Sequence, residues 1–197
     1  MLTWEFETAA MNDGYHAICG IDEAGRGPLA GPVAAAAVIL PYGIEIEGLN
    51  DSKKLSEKKR EALFSQITEQ ALAFSIAYAS PEEIDTYNIL NATMTAMHRA
   101  LAGLSIPADF ALIDGNCARG FSVPTKTVVG GDGKSPSIAA ASILAKVSRD
   151  RLCKELDRQY PEYGFGKHKG YGTKDHMEVL RRIGPCPAHR KTFLKFL

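Results

Sequence analysis

No run of apolar residues in the chain is long enough to cross a bilayer, so no membrane-spanning helix is expected. The first 13 residues carry Glu5, Glu7 and Asp13 and lack both a basic leader and an apolar core segment, so no secretory signal is read there. Cysteine is sparse. Cys19, Cys117, Cys153 and Cys186 stand far apart with no Cys-x-x-Cys, which excludes a zinc knuckle or a disulfide framework and fits free thiols in a reducing, cytoplasmic compartment. His16, His98, His168, His176 and His189 show no metal-ligand spacing, and no Ser-His-Asp or Cys-His pairing stands out. Net charge is also absent, yet the zero hides an asymmetry: residues 1–145 sum to −7 and residues 146–197 to +7. An acidic body with a basic final quarter suits a polyanionic substrate.

What is present is one domain of ordinary size: 197 residues, 45% hydrophobic and 23% charged. Residues 1–13 are read as a loose leader or short edge strand, and residues 14–197 as a single domain whose basic part begins near residue 160. A β-meander is expected over residues 16–22, 30–40 and, more weakly, 44–49. Ser56 is placed to cap a helix reaching about Leu72, with Leu63, Ile67 and Ala71 on its buried side. A strand follows over residues 73–79. Ser80-Pro81-Glu82-Glu83 is a capping box with Pro at the first helical position, and Gly103 stops that helix. Residues 125–129 form a further strand. Ser135 and Pro136 then start a long helix, and Thr173 caps a last one reaching about Ile183.

The chain is organised around Gly20-Ile21-Asp22-Glu23-Ala24-Gly25-Arg26-Gly27. Adjacent carboxylates at the end of a buried strand repel each other and resist burial. Such a pair is explained by a cation, and Mg²⁺ or Mn²⁺ takes oxygen ligands of this kind. Phe110-Ala111-Leu112-Ile113 delivers a third acid, Asp114, to the end of a buried strand, where ligands of open α/β sheets gather. Asp132 lies in the Gly-rich turn after residues 125–129. Four acids, Asp22, Glu23, Asp114 and Asp132, thus end three strand segments at glycines and would hold two divalent ions ~4 Å apart, an arrangement suited to phosphodiester hydrolysis. Gly133-Lys134-Ser135 before a helix also looks like part of a P-loop. That pattern needs glycine where Val128 stands, and Asp132 would oppose a phosphate.

Tyr163-Gly164-Phe165-Gly166-Lys167-His168-Lys169-Gly170-Tyr171-Gly172-Thr173 is basic, Gly-spaced and aromatic, and can lie along a phosphate backbone. With Asp51-Ser52-Lys53-Lys54-Leu55-Ser56, Asp114-Gly115-Asn116, Gly131-Asp132, Arg149-Asp150, Gly184-Pro185 and His189-Arg190, these motifs cover nearly the whole chain from Gly20. In them the chain resembles the type 2 ribonucleases H, specifically bacterial ribonuclease HII.

That resemblance implies an α/β, ribonuclease H-like fold, with a mixed five-stranded sheet flanked by helices and a C-terminal helical extension. It implies that Asp22, Glu23, Asp114 and Asp132 are the metal-binding catalytic acids. The backbone of Gly25-Arg26-Gly27 would read the 2′-hydroxyl of a ribonucleotide, and Tyr171 would pack on the adjoining deoxyribose. Lys53, Lys134, Ser135, Lys146 and Arg149 would contact phosphates. The implied enzyme is a monomer that cleaves RNA in RNA–DNA hybrids and nicks duplex DNA beside single embedded ribonucleotides, leaving 3′-hydroxyl and 5′-phosphate ends. The alternatives are a non-catalytic hybrid-binding module and a P-loop-like nucleotide hydrolase. Phe193-Leu194-Lys195-Phe196-Leu197 is weighed as a sliding-clamp contact against simple packing on the body.

Overall fold

The computed structural model describes residues 2–50, 52 and 55–196. Five strands form one mixed sheet: β1 (Ile18–Ala24), β2 (Val33–Ile39), β3 (Ala73–Ala79), β4 (Phe110–Asp114) and β5 (Thr125–Val128), in the order β3-β2-β1-β4-β5. The first three strands are antiparallel neighbours; β4 and β5 join parallel to β1. The expected strands at 73–79 and 110–114 are found at those residues. The weak strand at 44–49 is instead a turn-rich segment, because Gly43 and Gly48 both take positive φ and break the run. Ile46 is nonetheless buried, with Ile44 and Leu49 packed beside it.

Strand β2 explains the layering. Val33, Ala35, Ala37 and Ile39 face one core, whereas Ala36, Val38 and Leu40 face the other. With both faces covered, the strand reads as a continuous apolar run, and its alanines let helices approach closely. On one side lies α3 (Pro81–Ala102), with Met94 and Met97 in its core. This helix is broken at Asn88, whose φ is 65° and whose Oδ1 accepts from the N–H groups of Leu90 and Asn91, restarting the helix as a second cap. On the other side lies α4 (Pro136–Gln159), with α2 (Glu57–Gln70) packed outside it through Leu63 and Ile67. The caps are those expected: Ser56, Ser80, Ser135 and Thr173 accept from Lys59, Glu83, Ile138 and His176 N–H.

Helix α4 crosses β1 at Gly20. A Cβ there would lie 2.1 Å from the Ser137 carbonyl carbon, so only glycine lets helix backbone rest on strand backbone. The C-terminal extension holds α5 (Phe165–His168) and α6 (Lys174–Ile183) around a small core of Ala30, Tyr163, Phe165, Leu180, Ala188 and Leu194. Asp85 of α3 fixes its end by accepting from Lys191 N, Thr192 N and Thr192 Oγ1.

The leader is neither loose nor a strand. Residues Glu5–Asn12 form α1, with Phe6 and Ala10 one turn apart against a core that includes Leu112 and Ile138. Buried Glu7 anchors it: Oε1 accepts from Ser135 Oγ at 2.6 Å and from Ser137 N at 3.2 Å, at the N-terminus of α4 where a negative charge is favoured. Replacing Glu7 by Ala should therefore lower unfolding stability by about 1–3 kcal/mol, the cost of leaving such donors buried and unmatched. An unchanged denaturant midpoint would remove this anchor.

Candidate active site

Strands β1 and β4 run parallel, so both end at the same sheet edge. Their ladder closes at Ile21 with Ile113, which sets the next residues, Asp22 and Asp114, side by side. Asp22 lies on the same face as Gly20, toward α4, and is bonded there by the Ser142 side chain. Its Oδ1 also accepts the Glu23 N–H at 2.7 Å. Asp114 Oδ1 accepts the Gly131 N–H at 2.6 Å. Glu23 stands one residue further along β1, still paired with Ala35 of β2, and its carboxylate is 3.5 Å from Arg26 Nη1. Asp22, Glu23 and Asp114 line one cleft of about 230 Å³, together with Gly25–Gly27, Ser52, Ser142, Lys146, Arg149 and Tyr171.

The electrostatics are those of crowded acids. Asp22 is 4% exposed. Burial, then Glu23, then Asp114, holds its carboxyl well above the usual range, and the bonds from Ser142 and Glu23 N–H only partly oppose this. Asp132 is also buried, in the 3₁₀ turn Gly131–Gly133, but it does not line the cleft. It is tied to the site through its neighbour: Gly131 binds Asp114, and a Cβ at Gly131 would meet Ile138 Cδ1 at 2.5 Å. Among the described residues, no three His, Cys, Asp or Glu side chains are already gathered tightly enough to enclose an ion. The donors that do meet are all carboxylate oxygens, the type that Mg²⁺ and Mn²⁺ prefer.

The Gly-rich loop turns at Gly25, where φ is +98° and a Cβ would lie 1.9 Å from Arg149 Nε. Arg149 is expected at a phosphate, and here the structure differs. Its guanidinium is 1% exposed and donates to the carbonyls of Pro32, Ala30 and Lys169, so it ties loops together instead. Ser135 differs likewise: it is fully buried, caps α4 and donates to Glu7, which leaves no hydroxyl for a phosphate. Lys134 is exposed, with Nζ donating to Val129 O. Lys146 borders the cleft and pairs with Asp150 at 2.6 Å. Lys53 lies outside the described residues. Tyr171 is 48% exposed, with its ring edge 3.4 Å from where a Gly27 Cβ would be.

Three residues of the site escaped sequence reasoning. Ser142 follows three alanines, and a lone hydroxyl in a buried alanine face was the available signal. Ser52 Oγ lies 2.8 Å from Ser142 Oγ, and both residues line the cleft with the acids. Arg190 is fully buried and binds the Gly25 and Arg26 carbonyls, a contact across more than 160 residues that no local pattern announces. A larger, more apolar groove of about 440 Å³ runs past Pro32, Tyr78, Leu152 and Tyr160. Its acids are Glu82 and Glu83 at the start of α3, and Glu83 is committed to Ser80 and Arg99, so volume does not mark the reactive site.

Known proteins share this architecture. A family model described as Ribonuclease HII matches residues 19–196. The ribonuclease HII of Geobacter metallireducens is 54% identical over 190 residues, 96% of this chain and 89% of that protein. Among solved structures, ribonuclease H2 from Pyrococcus horikoshii OT3 superposes with a TM-score of 0.74 at 27% identity, covering 90% of this chain and 93% of that one. The ribonuclease HII of Archaeoglobus fulgidus, solved as a complex with PCNA, gives 0.72 at 26% identity, covering 91% and 95%. With the family model spanning nearly the whole chain and a relative this similar, the chain belongs to the ribonuclease HII family, endoribonucleases of the ribonuclease H type that act on RNA–DNA hybrids.

Proposed function

We propose that this protein is a divalent-metal-dependent endonuclease that cuts the RNA strand of hybrids and nicks 5′ of single ribonucleotides embedded in duplex DNA, leaving 3′-hydroxyl and 5′-phosphate ends. The observation that carries this reading is the buried Asp22 carboxylate held beside Glu23 and Asp114 at one strand edge. Mg²⁺ or Mn²⁺ would be held by Asp22, Glu23 and Asp114, with Asp132 as the fourth acid. When bound, such ions supply an acidified water and charge stabilisation at the leaving oxygen. The protein's own part is to bring these acids together, to seat Asp22 against Ser142, and to present the scissile phosphate between them and Lys146.

Selection belongs to the other wall of the cleft. With no side chains at Gly25 and Gly27, the backbone there can come close enough to a sugar to distinguish a 2′-hydroxyl from hydrogen. Tyr171 faces Gly27 across the cleft and would pack on the deoxyribose that follows, so that the two elements together fit an RNA–DNA junction. The enzyme works as a monomer in the cytoplasm, on hybrid and on ribonucleotide-containing duplex DNA. At the C-terminus, Leu194 is buried and Phe193 packs on the body, while Phe196 is exposed. This supports packing over a clamp contact for the first half of the tail. A P-loop reading loses its support, because Ser135 and Lys134 are committed to Glu7 and Val129.

Replacing Asp22 by Asn should reduce cleavage on the order of 10³-fold or more, the scale seen when a group that stabilises developing charge is lost. The metal-free variant should melt no lower than the parent, because a crowded buried charge has been removed. Added Mg²⁺ or Mn²⁺ should raise the melting temperature of the parent alone. Retained cleavage would end the carboxylate mechanism.

Changing Tyr171 to Ala should lower turnover at an embedded ribonucleotide about tenfold while duplex affinity changes less than about threefold, as expected for lost orientation. Equal losses in both would make Tyr171 an anchor only.

Duplex affinity should fall steeply with salt, with a log–log slope near −0.9 for each phosphate neutralised. A flat response in a fluorescence-anisotropy titration would exclude the basic C-terminal part from the interface.

A further inference from the structure

The Gly25–Gly27 loop and Tyr171 come from opposite ends of the chain, and something must fix the gap between them. Leu29 N–H donates to Gly170 O at 2.8 Å, and the segment 186–190 adds to this tie by binding the loop directly and Tyr171 through His176. It runs antiparallel to the chain at Ala30, with a bridge between Ala30 and His189. The flanking bonds are Gly31 N to Ala188 O at 2.8 Å and Arg190 N to Leu29 O at 2.9 Å. Consecutive residues of an extended segment point to opposite sides, so His189 and Arg190 reach different neighbours.

Arg190 reaches the Gly-rich loop. Nη2 donates to Gly25 O at 2.6 Å, Nη1 to Arg26 O at 2.9 Å and Nε to Gly31 O at 2.9 Å. A guanidinium offers these donors as a rigid planar fork, so three carbonyls are set relative to one another in a single step. Burial and the nearby Arg149 lower its pKa to about 9, which leaves it charged at neutral pH.

His189 reaches Tyr171 through His176, and the tautomers follow from groups whose roles are fixed. The Tyr171 carbonyl can only accept, so a neutral His176 carries its proton on Nδ1. This selects for His189 the tautomer whose Nδ1 accepts the Cys186 N–H at 3.0 Å over the one that would donate to the Cys186 carbonyl at 3.2 Å, and its proton sits on Nε2. That Nε2–H meets His176 Nε2 at 3.0 Å, which must then accept. His176 Nδ1–H is left to donate to the Tyr171 carbonyl at 2.8 Å. Both rings are neutral in this relay. Burial and the neighbouring imidazoles agree, lowering the pKa of His176 and taking that of His189 down to about 4. His168 stacks on His176 with ring centres 4.3 Å apart and is itself fixed, with Nε2 donating to Tyr163 O and Nδ1 accepting from Gly170 N.

We infer that Arg190 and the His189–His176 relay form one brace that sets the spacing between the Gly25–Arg26 backbone and Tyr171, and that these three are positioning residues for selecting an embedded ribonucleotide. The inference rests on the proposed roles of the Gly-rich loop and Tyr171 at the junction. A brace of this kind matters most for a substrate with a single ribonucleotide, where only one register places the 2′-hydroxyl against the loop. A long hybrid offers many equivalent registers and tolerates a looser gap.

The test compares cleavage of a duplex carrying one ribonucleotide with cleavage of a long hybrid. Exchanging His176 for Phe keeps the ring among Phe165 and His168 but removes the donor to Tyr171. It should lower kcat/KM on the single ribonucleotide about tenfold or more, through kcat, and change the long hybrid less than about threefold, since misplacement of this kind costs orientation. His176→Asn retains an N–H near the Nδ1 position and should restore most of the loss, although it disturbs packing more. Arg190→Lys keeps the charge without the fork and should shift the same ratio, which decides the matter if the Phe variant does not fold. Parallel losses on both substrates, or no loss on either, in a variant with a cooperative melt would overturn the brace while leaving the site's proposed role standing. A parent enzyme that cleaves hybrid but never nicks at a single ribonucleotide would overturn the junction reading and the brace with it.

Discussion

Carboxylates repel one another, and the register between two parallel strands nevertheless sets Asp22 beside Asp114, with Glu23 next in the chain. Much of the surrounding architecture answers that constraint. The sheet order brings β4 alongside β1, so that acids separated by some ninety residues share one edge. Gly20 lets α4 settle on β1, which carries Ser142 to Asp22. Ser52 then closes on Ser142 at the border of the cleft. Buried like charges are costly to assemble. A cation facing them would offset that cost, and carboxylate oxygens are the donors that Mg²⁺ and Mn²⁺ prefer.

Cations serve two separate purposes in this molecule. Arg149 and Arg190, the largest fully buried side chains among the described residues, bind main-chain carbonyls. They knit the Gly-rich loop, the turn before β2 and the loop at Lys169 into one piece. The basic surplus of the last quarter is therefore smaller at the surface than its formal count, since the charges of Arg149 and Arg190 are interior. The Gly-rich loop and the acids share the cleft but are held by different means, the loop by guanidinium–carbonyl ties and the acids by the strands that carry them.

Local signals were legible in the sequence, and distant partnerships were not. Ser56, Ser80, Ser135 and Thr173 announced helix starts because a cap is decided within four residues. Residues 110–114 announced a buried strand delivering an acid, for its apolar run is continuous. Asp22, Glu23 and Asp114 were legible as a group because each follows a buried apolar run and precedes a glycine within three residues. The helix at the start of the chain was missed because it is short and is held by Glu7 at a partner 128 residues away. Ser135 and Arg149 fit a phosphate by their place near Gly-rich loops, and only the structure gives their burial and their internal acceptors. The break at Asn88 lay hidden inside a helical pattern that simply resumes after it.

The bond from Arg190 to Gly25 spans 165 residues. Contacts so distant in sequence form late, because a long loop must close before they stabilise anything. All four acids leave the ribosome well before Arg190 does. On a nascent chain, then, the strands that carry the carboxylates can pair while the loop beside them is still untethered, and the residue that ties it arrives only after them.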